Sequence, residues 1–466
     1  MQGPFQNPDF RKLFLGRIIT NIGDSFYFVG AMWLVYSLTG DPLYTGVAGF
    51  VTMAPQVFQF AAGPLVDKWS IRRTLVGTQL IQAAVVSLIP IAHSMGLLTV
   101  ELVLVVMPVL SALNQLVYPA QVTALPRILD DEELVAANSA FATAYQGFEM
   151  VANGIGGVLI GLFGAVTLFA LDAVTFGIAA LIFASVSIPP AKAAAMGTTE
   201  SKSESLPSKS KPHDSGSNSP DTNATDRGMA ENEDEPMVGD GGTKIEDDSA
   251  SEESSYLTRL REGLGFVQGT FLMWLVAGSA VVNITYGMVL AAMPVYADTL
   301  ELPAAMAAVG AAGVYGVLMA SLAAGTLVGA LSASQFSEMR IGMSMVVAYP
   351  VAALLWTGAL VVNWLPLTAF LLALSFVPNA IVAVQISAVL QSVPPEHLVG
   401  RVSSIFGSAS ASMIPVGALL GGVVAGQFGP QVAMAAMAVG SFGFGLYVLL
   451  NANLRRLPVA HEITVE

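Results

Sequence analysis

Three carboxylates stand inside otherwise apolar runs. Glu149 lies in FATAYQGFEMVANGIGGVLIGLF, with Tyr145 one helical turn before it and Gly156 two turns after it on roughly one face. Asp24 lies in IITNIGDSFYFVG, sharing a face with Asn21 and Phe28, and Asp172 lies in AVTLFALDAVTF. A charge within hydrocarbon is costly, so such groups default to function. Dehydration favours a carboxyl's neutral form, which suits a group that takes up and releases a proton. No base is expected in mid-span to neutralise Glu149 or Asp24, which favours protonation or a cationic partner; a structural, hydrogen-bonded carboxyl is the other reading of both. Asp172, a few residues inside the end of its run, reads more simply as a helix-start or packing residue. The proton-coupling candidates are thus Glu149, Asp24 and Asp172. Polar and aromatic residues in similar runs, Asn21, Asn114, Gln115, Tyr145, Gln146, Asn283, Tyr286, Asn379 and Gln385, are candidates to line a substrate cavity.

Other chemistries are poorly supported. There is no cysteine, hence no disulfide, thiolate metal site or thiol nucleophile. The four histidines, His93, His213, His397 and His461, avoid the middles of the apolar runs, which argues against a buried haem or zinc centre. No G-x-x-x-x-G-K-[ST] phosphate loop occurs. Neither enzyme activity, metal nor organic cofactor is expected; a coupling ion, H⁺ before Na⁺, is.

The elements that would hold these residues are membrane helices. The 466-residue chain is 54% hydrophobic and 11% charged, with mean hydropathy +0.67, well outside the range of soluble domains. Its polar start, MQGPFQNPDF, lacks the pattern of a removable signal peptide. A spanning helix needs about 20 apolar residues. Six candidates lie near 13–38, 43–66, 73–93, 99–123, 138–163 and 167–188, and six more near 269–296, 304–333, 341–362, 366–392, 401–426 and 430–452. Pro55, Pro108, Pro294, Pro350 and Pro415 fall within them, tolerable where neighbouring helices repair freed backbone groups.

With twelve spans and a cytoplasmic N-terminus, all 19 basic residues fall on the cytoplasmic side, as lysine and arginine should. The opposite loops hold Asp41, Glu101, Asp298 and Glu301. Between the sixth and seventh spans, residues 196–255 carry 15 of the 33 acids but five of the 19 bases, with almost nothing to bury, the signature of a disordered linker. Tyr256, Leu260, Leu264 and Val267 then recur at helical spacing with Arg259, Arg261 and Glu262 between them, an amphipathic helix for the membrane surface. The halves also repeat. Gln121-Val122-Thr123-Ala124-Leu125 matches Gln385-Ile386-Ser387-Ala388-Val389, and Leu134-Val135 and Ser139 match Leu398-Val399 and Ser403 at the same offset of 264.

One more constellation is GPLVDKWSIRR, residues 63–73, a knot of charge between the second and third spans. With it, nearly the whole chain apart from the linker resembles the major facilitator superfamily, whose loop at this place reads Gly-x-x-x-Asp-Arg/Lys-x-Gly-Arg-Arg/Lys. Gly63, Asp67, Lys68 and Arg72 fit; Ser70 replaces the second glycine, Ile71 replaces a base, and Arg73 follows. The resemblance implies a gating role in which the aspartate meets the start of span 11 and latches the outward-open state. An anion is stabilised at a helix N-terminus, and here Arg401 stands at that start to add a charge partner. More narrowly the chain looks like the macrolide-efflux and enterobactin-exporter branch, through Arg11, Leu13-Phe14 and Arg17 before Asn21-Ile22-Gly23-Asp24, Leu38-Thr39-Gly40-Asp41-Pro42, Tyr118-Pro119-Ala120 before Leu125-Pro126, and Glu133-Leu134-Val135-Ala136-Ala137-Asn138-Ser139. Exporters of the superfamily often carry Gly-Pro-x-x-Gly-Gly in span 5. The aligned Ala152-Asn153-Gly154-Ile155-Gly156-Gly157 keeps the paired glycines Gly156 and Gly157, which with Gly154 suit close packing, and lacks the Gly-Pro.

The expected fold is therefore all-α and membrane-integral: twelve helices in two pseudo-symmetric six-helix bundles, residues 1–190 and 257–466, joined by an acidic linker at 191–256. The expected function is secondary transport, H⁺-coupled export of amphipathic small molecules by rocking of the bundles. A solute-importing symporter is the nearest rival, and a non-transporting sensor or scaffold working through the linker the other. The lipid bilayer and a small molecule are the partners, with no nucleic acid; a single copy in the cell membrane, both termini cytoplasmic, is the working unit.

Overall fold

The computed structural model describes residues 3–58, 69–189, 262–302, 310–395 and 398–459; the side chains of 57, 58, 131, 142, 146, 149, 150, 153, 154 and 400 lie outside the described set. Gly63, Asp67, Lys68 and the linker at 191–256 are likewise outside it, as are the side chains of Gln146 and Glu149 and position Gly154.

The described chain is helical. In the first half the main helices are α1 (Pro8–Thr39), α2 (Pro42–Met53), α3 (Ile71–Ser94), α4 (Val100–Asn114), α5 (Val117–Ile128), α6 (Asp131–Phe163) and α7 (Ala165–Ala184). In the second they are a short α8 over 262–269, then α9 (Leu272–Ala297), α10 (Gly310–Ser332), α11 (Ile341–Val361), α12 (Leu365–Ser392), α13 (Val399–Ala411), α14 (Met413–Phe428) and α15 (Pro430–Leu450), with a last turn at Ala452–Arg455.

Local chemistry explains the ends. Asn7 accepts from the amides of Asp9 and Phe10, with Pro8 at the first helical position, so α1 starts there. Gly40, at φ 65°, closes α1 in the left-handed region. Asp41 then caps α2 by accepting from Leu43 N at 2.8 Å. Gly164 (φ 83°, ψ 156°) joins α6 to α7, and Gly429 (φ 91°, ψ 157°) joins α14 to α15 by the same backbone turn.

Among the described residues, ten helical stretches are long and apolar enough to cross a membrane, with α4–α5 and α13–α14 each counted as one stretch. Two of the twelve expected spans are not among them. The run at 43–66 appears as α2 and a 3-10 turn over Ala54–Phe58 before leaving the described residues. The run at 138–163 is part of α6, which at 33 residues is long enough to cross a membrane; several of its positions lie outside the described set. Span 4 is interrupted at Gln115–Leu116 and span 11 at Ser412, breaks the sequence did not announce.

Helix pairing repeats between the halves: α1 packs on α7 as α9 packs on α15, and α3 on α7 as α11 on α15. Across the halves, α2 packs on α14 and α6 on α10. These contacts need small residues. A Cβ on Gly46 would stand 2.8 Å from the carbonyl oxygen of Ala418, and one on Gly157 would overlap the backbone of Gly316. Tyr36 OH donates to Asp298 at 3.3 Å, and the rings of Trp33 and Tyr315 stack at 6.2 Å. All these lie toward the end away from the termini. The buried core follows suit. One cluster joins Met32, Val35 and Phe169 to Tyr296, Tyr315 and Trp356. Toward the termini the core divides, into Phe10, Leu13, Leu75 and Phe183 in one half and Leu272, Met345, Phe444 and Val448 in the other.

Candidate functional site: two cavities and a buried arginine

Where the core divides, space opens. A cavity of about 500 Å³ is lined from the first half by Asn21, Asp24, Ser25 and Phe28 of α1, by Thr52, Met53 and Gln56, and by Ser111, Asn114 and Gln115; from the second by Tyr286, Met319, Thr326 and Phe376. Asn21, Asp24 and Phe28 reach it together because residues three and four apart share a helix face. Ser111, Asn114 and Gln115 do so on α4 and just beyond its end. Asp24 is the only carboxylate among the described lining residues; Asn114 Nδ2 donates to its Oδ2 at 3.1 Å. The Oδ1 of Asn21 is buried there with no hydrogen-bond partner.

A second cavity of about 580 Å³ lies within the second half and shares Tyr286 and Phe376 with the first. Those rings are 6.0 Å apart. From them it runs past Asn283, Asn379 and Tyr349 to Gln391 and Ser403 at the ends of α12 and α13 nearest the termini. No Asp, Glu, Lys, Arg or His lines it among the described residues.

The structure corrects the reading of Arg17. It is not an end residue facing the cytoplasm but is 7% exposed within α1, since that helix begins at Pro8. Its Nε donates to Gln121 Oε1 at 2.7 Å and to Tyr145 OH at 3.2 Å, and its Nη1 to Thr20 Oγ1 at 3.2 Å. Tyr145 OH in turn donates to Gln121 Oε1 at 2.7 Å. A base therefore does lie inside a span, two helical turns from Asp24. Tyr145 serves this cluster and is absent from both cavity linings. Gln385 is absent too; its Nε2 donates to the carbonyl of Phe336 at 2.9 Å.

Asp172 is fully buried, deeper in the packing than a helix-start residue. Its Oδ1 accepts from Thr175 Oγ1 at 3.1 Å, its Oδ2 has no partner, and it presses on α1 at Gly23, where a Cβ would overlap it. Of the loop motif, Arg72 donates to the carbonyl of Ala184 and Arg73 is exposed. Arg401 bonds Glu262 Oε2 of α8 at 2.9 Å; Asp67, its expected partner, lies outside the described residues. Gly157 packs on Gly316, and Gly156 faces Phe26.

Several lining residues were not foreseen: Ser25, Thr52, Gln56, Ser111 and Thr326 in the first cavity, and Ser279, Ser403 and Ser410 in the second. Helical spacing would have found Ser111 from Asn114 and Ser279 from Asn283. The small hydroxyls carry no such signal, being common in spans as backbone partners, as Thr52 is toward Ala48 O at 2.6 Å.

The sequence model of the Major Facilitator Superfamily matches residues 13–418. An uncharacterized MFS-type transporter of Bacillus subtilis (strain 168), YvqJ, is 29% identical over 140 residues, covering 30% of this chain and 33% of the relative, so the match spans about a third of that protein. Among solved structures, the nucleoside transporter NupG superposes with TM-score 0.64 at 13% identity, covering 95% of this chain and 98% of the other. A bacterial homologue of the human lysosomal transporter Spinster, inward-facing and occupied, gives 0.62 at 11% identity over 98% and 97%. A peptide transporter in complex with alafosfalin gives 0.64 at 12% identity over 96% and 95%. At these identities the likeness is one of fold.

Proposed function

The chain belongs to the Major Facilitator Superfamily, and from that premise we propose that it is an H⁺-coupled exporter of amphipathic small molecules, resembling the macrolide-efflux and enterobactin-exporter branch. The observation that carries the reading is the first cavity: about 500 Å³ shared by both halves, with one carboxylate, an array of amides, and aromatic and methionine side chains beside it. It has the size and mixed polarity of a small-molecule site.

Transport would proceed by rocking of residues 1–190 against 257–466 about this cavity, with the linker outside the moving parts. Of the described bases, Arg11, Lys12, Arg72, Arg73, Arg127, Arg340, Arg401, Arg455 and Arg456 lie at the helix ends nearest the termini, and Arg17 is buried inside α1. This supports cytoplasmic termini in the cell membrane. The conformation, packed at the far end and divided near the termini, then corresponds to an inward-open state. Asp24 and Glu149 are the proposed proton-binding groups, with Asp172 a third carboxyl behind α1.

The test is a growth screen of a pump-deficient host expressing the protein, against a panel of toxic compounds with and without a protonophore. Protection that the protonophore abolishes is expected, and Glu149→Gln should remove it without lowering expression. Glu149→Gln cells that export fully under an imposed pH gradient would take Glu149 out of the mechanism. Import by symport is the second reading, favoured by the missing Gly-Pro at Ala152-Asn153. Uptake in right-side-out against inside-out vesicles separates the two directions. Deleting residues 200–250 should leave transport intact; loss of activity would favour a scaffold role for the linker.

A further inference from the structure

The two cavities differ in charge and touch at one pair of rings. On the first-half side stands Asp24, with no basic residue among the described lining; the Arg17 guanidinium is close enough for its charge to act on Asp24, but its hydrogen bonds go to Gln121, Tyr145 and Thr20. On the second-half side every described lining residue is uncharged. The geometry points to a two-compartment binding site for an elongated monocation, whose charged end lies beside Asp24 and whose uncharged, hydrogen-bonding body occupies the pocket of the second half. This deepens the transport reading above and rests on it.

Unmet hydrogen-bonding capacity marks both compartments. Asn21 Oδ1 is buried and unpartnered in the first. In the second, Ser410 is 6% exposed and its hydroxyl has no partner, and Asn379 Oδ1 is buried and unpartnered. Buried polar atoms are normally satisfied. The side chains of Asn21, Asn379 and Ser410 line the two adjoining cavities, and rotation of any of them would bring its unpartnered oxygen to an amide- or hydroxyl-bearing ligand. The dividing rings of Tyr286 and Phe376 offer apolar faces to a connecting chain and favourable faces to a passing cation. An anion would meet Asp24 with no described base on either lining to offset it.

The chain has no cysteine, so one introduced thiol reports one position. Gln115→Cys places it in the first compartment and Ser410→Cys in the second, with Ser279→Cys as a second reporter there. Each full-length variant in lipid nanodiscs is reacted with 2-(trimethylammonium)ethyl methanethiosulfonate and with the 2-sulfonatoethyl reagent of opposite charge, rates being normalised to free thiol. At Gln115→Cys the ammonium reagent should be favoured at least tenfold, falling below threefold when Asp24→Asn is added. At Ser410→Cys and Ser279→Cys the preference should stay within about twofold. (8-Carbamoyloctyl)trimethylammonium, a cation with a neutral amide at its far end, should slow labelling at least fivefold in both compartments, and tetramethylammonium in the first alone. Equal rates at Gln115→Cys, a preference that survives Asp24→Asn, no reaction at either second-compartment position, or no protection there by the long cation would each overturn the proposal. None of these readouts requires transport. A silent growth screen beside the expected labelling would therefore count against the exporter reading alone, and active export beside charge-blind labelling against the two compartments alone.

Discussion

Arg17 Nε lies 2.7 Å from Gln121 Oε1, so a buried cation in the first half is held by the glutamine that opens the repeated segment. The matching Gln385 bonds no arginine among the described residues, and its Oε1 is buried without a partner there. The repeat therefore preserves a residue while its role diverges. Gln121→Leu would remove the acceptor shared by the guanidinium and the Tyr145 hydroxyl, leaving Arg17 Nε with Tyr145 alone, and losing a partner of a buried polar group costs about 1–3 kcal/mol, more when charged. Gln385→Leu loses one bond and one already unpartnered oxygen, and should cost about 1 kcal/mol or less. Thermal unfolding of the two purified variants checks this; equal destabilisation would contradict the assignment.

Asp172 and Gly23 predict a non-additive pair. Any side chain at Gly23 meets both Asp172 and the Thr175 hydroxyl, so Gly23→Ala should destabilise by about 1–3 kcal/mol, the range of overpacking. Asp172→Ala alone removes a carboxyl with one unpartnered oxygen and opens space. Combined, the new methyl enters the vacated volume, and the double variant should be at least 1 kcal/mol more stable than the sum of the singles. Denaturation of all four proteins measures it, and strict additivity would show that the two residues do not compete for one space.

What was legible in the sequence is what local chemistry controls. Asn7-Pro8 and Gly40-Asp41-Pro42 mark helix ends by capping, and long apolar runs gave most spans. The repeat has a counterpart in the matching turns at Gly164 and Gly429. Arg17 shows the limit: a base after a polar start reads as an end residue, yet the Asn7-Pro8 cap already places it in the third turn. That Gln121 and Tyr145 converge on it from two other helices is a property of packing. Polarity within an apolar run says that a group needs a partner but not whether the partner is protein or ligand. Hence Asn21, Asn114, Gln115, Asn283, Tyr286 and Asn379 line the cavities, while Tyr145 and the amide nitrogen of Gln385 bond protein groups elsewhere.

The Arg401–Glu262 pair is a surface contact, its side chains 31% and 55% exposed. Exposed pairs contribute about 0.2–1 kcal/mol and weaken as salt shortens the screening length. Glu262→Gln should lower stability by no more than that in low salt and by almost nothing at about 1 M salt, where screening acts within about 3 Å. A loss that persists in high salt would mean that α8 depends on Glu262 for something other than its charge.

The far-end closure rests on backbone meeting backbone. Gly157 and Gly316 approach with no room for a Cβ on either, so Gly157→Val cannot be absorbed by a rotamer change; α6 and α10 must separate. Separation at that end exposes the first cavity from the side away from the termini. With Met319→Cys as reporter on the cavity wall, a membrane-impermeant maleimide added from that side should react at least fivefold faster in the Gly157→Val background. Gly156→Ala, one residue away, would bring a methyl to 3.3 Å from the ring of Phe26, a contact within the first half that a small ring shift relieves. It should leave the rate within about twofold. Equal rates in the valine and parent backgrounds would show that this glycine contact does not hold the far end shut.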